Sequence, residues 1–233
     1  MIPAQHLGAP KISEFRQATV PELRTGLLTP SAERIKRVFD IAVGSLLFLV
    51  SLPLAVLIAA AILMESGRPV FYAHTRIGKG GRKFRLWKFR SMVTNGDEAL
   101  QRYLEQHPER AVEWLLSHKL KEDPRVTGVG RSLRKRSLDE LPQFWNVLRG
   151  DMSLVGPRPI VAEEVLKQGH GFRLYSRVRP GLTGLWQVSG RNDTSYHKRV
   201  QLDSSYVCNW TPWLDLRILF RTILVILHGH GAY

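Results

Sequence analysis

The stretch Ile41-Ala42-Val43-Gly44-Ser45-Leu46-Leu47-Phe48-Leu49-Val50-Ser51-Leu52-Pro53-Leu54-Ala55-Val56-Leu57-Ile58-Ala59-Ala60-Ala61-Ile62-Leu63-Met64 decides the architecture. It carries no charge over 24 residues. As a helix it reaches roughly 36 Å at about 1.5 Å per residue, against a hydrocarbon core of about 30 Å. Soluble helices seldom stay apolar on every face for so long, which favours a membrane helix over a buried core helix. Pro53 sits at its middle, where it removes a backbone hydrogen bond and can bend the helix. Both flanks are basic. Arg34, Lys36 and Arg37 precede the run; Arg68, Arg76, Lys79, Arg82, Lys83, Arg85, Lys88 and Arg90 follow it, with no acidic residue between Ser66 and Gly96. Basic flanks prefer the cytoplasmic side. If both obey, the helix enters and leaves by one leaflet, as a re-entrant hairpin broken at Pro53. A proline-kinked span is the alternative.

Outward from this helix, residues 1–33 mix Pro, Gly, Ser and Thr without sustained periodicity and read as a flexible tail. The tail has no basic segment followed by an apolar one, so it does not read as a signal peptide. Residues 34–66 form the re-entrant helix and 67–233 a cytosolic domain. Within it, Val70-Phe71-Tyr72-Ala73 and Lys83 to Arg90 read as strands around a glycine turn at 78–81. That hairpin is either a solvated basic face or one aimed at phosphates and lipid headgroups. Residues 97–106 and 108–121 read as helices, with Asp97 and Glu98 at one N-terminus and Pro108 at the next. Residues 127–190 are rich in Gly and Pro and read as loops that carry the site. Trp210 to Leu227 reads as an amphipathic helix, interfacial or core. The predicted class is α+β, mostly helical.

The chain has 34 Lys and Arg against 20 Asp and Glu, a net charge of +14, and 44% hydrophobic residues. That composition excludes a wholly disordered chain. The single cysteine, Cys208, excludes an intramolecular disulfide and the common cysteine-rich zinc layouts. A strong positive balance fits nucleic acid, anionic lipid or phosphate-bearing substrates. A nucleic-acid binder would leave the apolar run unexplained. A non-enzymatic membrane-surface module would explain the run and the charge, but not the chemistry of the next block.

That block is Arg131-Ser132-Leu133-Arg134-Lys135-Arg136-Ser137-Leu138-Asp139-Glu140-Leu141-Pro142-Gln143. Neighbouring cations keep a carboxylate ionised. They also offset repulsion when an anionic oxygen attacks phosphorus. Asp139 therefore suits a nucleophile, and Glu140 a ligand for Mg²⁺, which takes oxygen donors and bridges phosphates. The same residues fit a capping box, with Ser137 at the N-cap and Glu140 at N3. Both readings stand on spacing alone. Downstream, Arg158 lies between Pro157 and Pro159, which stiffen its backbone. Arg179-Pro180-Gly181 through Trp186-Gln187 is a second stiff loop, suited to packing a nucleobase or the domain itself.

These blocks, with Lys36-Arg37-Val38-Phe39-Asp40, Pro69-Val70-Phe71, Lys88-Phe89-Arg90-Ser91-Met92, Asp123-Pro124-Arg125-Val126-Thr127 and Asn146 to Ser153, resemble the bacterial sugar transferase family, the monotopic phosphoglycosyl transferases. The resemblance covers roughly Arg34 to Tyr233. Gly96-Asp97-Glu98, Glu113 to Asp123, Gly190-Arg191-Asn192-Asp193 and Gly231-Ala232-Tyr233 point to the short exopolysaccharide-starting members, often galactose-1-phosphate transferases.

The resemblance implies a two-step reaction on the cytoplasmic face of a bacterial inner membrane. The aspartate matching Asp139 takes a sugar-1-phosphate from a UDP-sugar, releasing UMP, and passes it to undecaprenyl phosphate. The glutamate matching Glu140 associates with Mg²⁺. Arg158, with Lys88, Arg90 and Arg136, would bind substrate phosphate; Arg179 and Gln187 would line a nucleotide or sugar loop. The helix would break at Pro53, although Leu52 stands where the family often has Ser, with Ser51 one position earlier. Gly128 likewise stands where a basic residue is common. The partners implied are the two substrates and membrane lipid, with no nucleic acid; a homodimer stays open.

Overall fold

The computed structural model describes residues 26–117, 120, 122–190 and 194–228. The tail up to residue 25, Arg191-Asn192-Asp193, Gly231-Ala232-Tyr233 and His118, Lys119 and Lys121 lie outside the described residues. From Gly26 onward the expected tail is structured. Gly26–Leu28 forms a 3-10 turn that buries Leu27. At Gly26, with φ +56°, a Cβ would meet the carbonyl oxygens of Val207 and Cys208 at 2.4 Å, so the turn docks tightly. Helix α1 then runs Pro30–Ser66, starting before the expected Arg34. Thr29 Oγ1 accepts the Ala32 N–H at 3.3 Å, and Pro30 occupies N1, where a missing N–H is harmless.

Helix α1 stays helical through Pro53, so the expected break is not a loss of helix. A proline forfeits one hydrogen bond, and a helix of 37 residues has many to spare. Ser51 donates its hydroxyl to the Phe48 carbonyl at 2.8 Å just before the proline.

The rest of the chain is mostly helical with two small sheets. Strands β1 (Phe71–Ile77) and β2 (Lys83–Phe89) pair antiparallel, Phe71 opposite Phe89 and Ile77 opposite Lys83, as the glycine turn predicted. Helices α2 (Gly96–Gln106) and α3 (Pro108–Ser117) follow. The region expected as loops holds short elements: α4 (Gly128–Lys135), α5 (Gln143–Arg149), β3 (Ser153–Val155), α6 (Glu164–Gln168), α7 (Gly171–Tyr175) and β4 (Gly181–Thr183). Strands β3 and β4 pair in parallel. Helices α8 (Tyr196–Cys208) and α9 (Pro212–His228) close the described chain. The main core joins Leu86 of β2, Val147 of α5, Leu154 and Val155 of β3, Tyr206 and Val207 of α8 and Ile218 of α9. A separate cluster packs Ile58 and Ile62 of α1 against Phe89 and Leu133.

Both arms of α1 are pinned to this one domain. On the first arm, Arg37 donates to the Val147 and Leu148 carbonyls of α5 at 2.6 and 2.8 Å. Glu33 pairs with Lys79 at the hairpin turn and with Arg179. On the second, Glu65 accepts the Val129 N–H of α4 at 3.0 Å. Arg90 donates to the carbonyls of Ser66, Gly67 and Arg68 at 2.8–3.0 Å. A Cβ at residue 128 would meet Glu65 Oε1 at 2.8 Å, a contact that the flexible Glu65 side chain could relieve by moving.

The first arm also carries a buried ionic network. Lys36 Nζ lies 2.7 Å from Asp215 Oδ2 and 3.4 Å from Asp40 Oδ1. Asp40 Oδ1 accepts from the Ser153 hydroxyl and the Leu154 N–H, both at 3.0 Å. Tyr206 donates to Asp215 at 2.7 Å. Removing one partner of such a network leaves buried charge uncompensated. Lys36→Met is expected to lower stability by about 3–5 kcal/mol, read as a fall in the unfolding midpoint in detergent. Adding Asp215→Leu should recover part of that loss, because it removes a stranded carboxylate.

Candidate active site

The segment between α4 and α5 does not form the capping box. Ser137 adopts the left-handed conformation, φ 54° and ψ 22°, and its side chain caps nothing. Leu138–Glu140 is a single 3-10 turn. The S-x-x-E spacing is present, but the box needs an extended N-cap residue, and Ser137 is not extended. The consequence is that Asp139 turns inward and is buried, while Glu140 remains half-exposed.

Lys88 of β2 completes the cluster. Its ammonium lies 3.1 Å from Asp139 Oδ2 and 2.7 Å from Glu140 Oε1. Burial pushes the Lys88 pKa down, yet the Glu140 and Asp139 carboxylates outweigh it and hold the ammonium above its ordinary value. The cation therefore stays charged between two anions. Asn146 fixes its approach. That fully buried amide accepts the Trp87 N–H at 3.1 Å and donates to the Arg85 carbonyl at 2.7 Å, tying β2 to α5. Arg134 of α4 faces the same carboxylate, which opposes the downward push of burial on its guanidinium. Its Nε donates to Ser91 Oγ at 2.9 Å.

The other expected ligands divide. Arg158 is exposed, with its guanidinium carbon 5.7 Å from the Trp186 ring centroid. Arg136 is exposed at the end of α4. Arg90 is buried and donates to the end of α1, where a cation complements the helix dipole. Arg179 is likewise an anchor, donating to the Gly150 carbonyl at 2.9 Å and to Glu33 at 3.0 Å. Gln187 donates within its own loop to the Leu182 carbonyl at 3.0 Å. The basic hairpin also divides. Arg76 and Lys79 meet protein partners, Lys88 meets the carboxylates, and Arg82, Lys83 and Arg85 remain exposed. Sequence reasoning passed over Asn146 and Arg134. Arg134 lies in the basic block, but only the α4 geometry separates it from the exposed Arg136.

Among the described residues no three His, Cys, Asp or Glu side chains converge to hold a metal by themselves. Mg²⁺ does not require that. It is commonly held by one or two carboxylates with substrate phosphates and water supplying the rest. A half-exposed Glu140 beside Asp139 fits that donor set.

The left-handed Ser137 has a measurable consequence. A non-glycine residue there carries a cost of about 1–2 kcal/mol. Ser137→Gly is expected to raise the unfolding midpoint in detergent. A capping box would predict a small loss instead.

The bacterial sugar transferase family model matches residues 31–229. The chain is 47% identical over 211 residues to the undecaprenyl-phosphate galactose phosphotransferase of Salmonella typhimurium, covering 91% of this chain and 44% of that protein. It is 47% identical over 214 residues to the exopolysaccharide production protein ExoY of Rhizobium meliloti, covering 92% and 94%. To the UDP-glucose:undecaprenyl-phosphate glucose-1-phosphate transferase of Escherichia coli it is 38% identical over 232 residues, covering 96% and 47%. The chain thus spans about half the length of the Salmonella and Escherichia proteins and nearly all of the Rhizobium one. The buried Asp139 beside Lys88, the Glu140 next to it and a match over most of the chain lead to one conclusion: the chain belongs to the bacterial sugar transferase family.

Proposed function

We propose that this protein is a phosphoglycosyl transferase that moves a hexose-1-phosphate, galactose-1-phosphate or glucose-1-phosphate, from a UDP-sugar to undecaprenyl phosphate. This would be the first membrane step of exopolysaccharide synthesis. The observation that carries the reading is Asp139, buried 3.1 Å from the Lys88 ammonium. In the first step an Asp139 carboxylate oxygen attacks the β-phosphorus of the UDP-sugar. The bond from that phosphorus to the bridging oxygen breaks, and UMP leaves with the electron pair. In the second, a phosphate oxygen of undecaprenyl phosphate attacks the same phosphorus and frees the carboxylate. Lys88 offsets charge repulsion on approach. Glu140 would hold Mg²⁺ together with the diphosphate, and the ion would supply charge neutralisation. Arg158 would take a phosphate oxygen.

The membrane placement follows the same reading. The side chains of Leu46, Leu49, Val50, Val56 and Leu57 are exposed along α1, a surface that suits hydrocarbon. The hairpin β1–β2 touches both ends of α1, through Lys79 to Glu33 and Arg90 to Ser66. A strand of that hairpin is roughly 23 Å long at about 3.3 Å per residue, whereas a straight helix would separate Glu33 from Ser66 by about 50 Å. These contacts support both ends of α1 on the cytoplasmic side of the inner membrane, with α1 re-entrant at Pro53.

Detergent-solubilised protein should release UMP from a matching UDP-sugar in a panel. With undecaprenyl phosphate withheld, a peptide containing Asp139 should carry a phosphosugar adduct. Asp139→Asn should lower turnover by orders of magnitude with folding preserved, and EDTA should abolish activity that Mg²⁺ restores. Liposome binding without UMP release from any UDP-sugar would favour a non-enzymatic surface module. For topology, Ser31→Cys and Asn95→Cys, each in a Cys208→Ser background, should both resist an impermeant thiol reagent added outside intact cells. Labelling at residue 31 alone would make α1 a span.

A further inference from the structure

The triplet Pro157-Arg158-Pro159 has one backbone N–H, because neither proline carries one. The triplet's three carbonyls are met. Pro157 O accepts from the Gly181 N–H at 2.8 Å. Arg158 O accepts from Arg199 Nη2 at 3.5 Å, and Pro159 O from Arg76 Nη1 at 3.4 Å. Arg199 and Asp203 are both buried, one helical turn apart on α8, with Arg199 Nε 3.8 Å from Asp203 Oδ2. Arg199 is held from other sides as well, by Glu164 at 3.0 Å and over the rings of Trp186 and Tyr196 at 5.0 and 5.2 Å.

A buried arginine and a buried aspartate need a reason, because each loses hydration. Burial pushes the Asp203 carboxyl up to about 7, against the pull of the Arg199 guanidinium and the Arg158 amide. Neither side chain reaches the Asp139 cluster in any recorded contact. Beyond Glu164 and the Tyr196 ring, Arg199 touches the Arg158 carbonyl and the ring on which Arg158 rests. Trp186 lies within reach of two guanidinium groups, with the buried Arg199 5.0 Å and the exposed Arg158 5.7 Å from its ring centroid.

We propose that Arg199 and Asp203 are positioning residues for Arg158, clamping its peptide so that its exposed guanidinium is preorganised for a phosphate oxygen of the nucleotide diphosphate. The clamp acts on the backbone and leaves all the donors of the Arg158 fork for the ligand. It lowers the ordering cost of binding, and a small misplacement of such a group is costly. This rests on Arg158 as a phosphate ligand, the role given to it above.

The test uses UDP itself, titrated calorimetrically into the full-length protein in detergent at fixed Mg²⁺, so that binding is read without turnover. Asp203→Asn keeps the size of the side chain but removes the charge that faces Arg199; Arg199→Lys keeps the cation but removes the planar fork that reaches the Arg158 carbonyl. Each is expected to weaken UDP binding about tenfold or more, in the same direction as Arg158→Ala. Combined with Arg158→Ala, neither should weaken it further, because the clamp acts only through Arg158. Equal weakening with and without Arg158, or single variants that bind UDP like the parent, would overturn the proposal. A role confined to folding would lower the unfolding midpoint without that dependence on Arg158. UDP binding that follows the pattern in a protein that releases no UMP from any UDP-sugar would sink the transferase reading and leave the clamp standing.

Discussion

The structure depends on how one apolar helix is held to a charged domain, and the contact that does most of this is Lys36 between Asp40 and Asp215. One cation and two carboxylates, all buried, are stable together only if their remaining hydrogen-bonding capacity is met. Ser153, Leu154 and Tyr206 meet it, from β3 and α8. Those demands are strict in position, so α1, β3, α8 and α9 have one relative arrangement that satisfies them. One residue on, Arg37 carries that arrangement to α5 by donating to its last carbonyls.

The turn that carries Asp139 and Glu140 inherits its position from these contacts. Residues 136–142 are stretched between α4 and α5. Glu65, from the far arm of α1, accepts a backbone N–H at the start of α4. Arg37, from the near arm, meets the carbonyls at the end of α5. Each charge complements the helix end that it touches. The membrane helix thus grips both short helices that flank Asp139. With its flanks fixed, the turn tolerates a left-handed serine, and that conformation directs Asp139 inward to Lys88.

What was legible in the sequence was what is local. The apolar run, the glycine-turned hairpin and the terminal helix follow from period and punctuation within a few residues, and α1, β1–β2 and α9 match them. The Asp139-Glu140 pair was visible as adjacent carboxylates beside cations, and its meaning came mostly from family resemblance. What local reading does not carry has one cause. Arg90 reads as a phosphate ligand and Arg179 as part of a nucleotide or sugar loop, but the partners they meet are carbonyls and an acid brought in by folding. Ser137 and Glu140 have capping-box spacing, yet spacing does not carry φ, and α4 and α5 impose the φ. Asn146 gives no local signal at all, since an amide between two strand backbone groups is defined only once β2 meets α5.

The exposed surface completes the physical case. With Arg76, Lys79, Lys88 and Arg90 engaged, the free positive charge of the hairpin is concentrated in Arg82, Lys83 and Arg85 near its turn. Its opposite end is apolar. Phe71 and Tyr72 are exposed there, and Tyr72 stands directly opposite Lys88 in the strand register. The cation that touches Asp139 and Glu140 therefore lies one strand from exposed aromatic side chains. A substrate that joins a charged phosphate to a long hydrocarbon chain makes both demands at once: an anion-competent centre and an adjoining apolar surface. A water-soluble acceptor would have no use for the second. The pairing of Tyr72 with Lys88 thus sets exposed apolar surface beside the Asp139–Glu140 cluster, the combination that the proposed lipid-phosphate substrate would use.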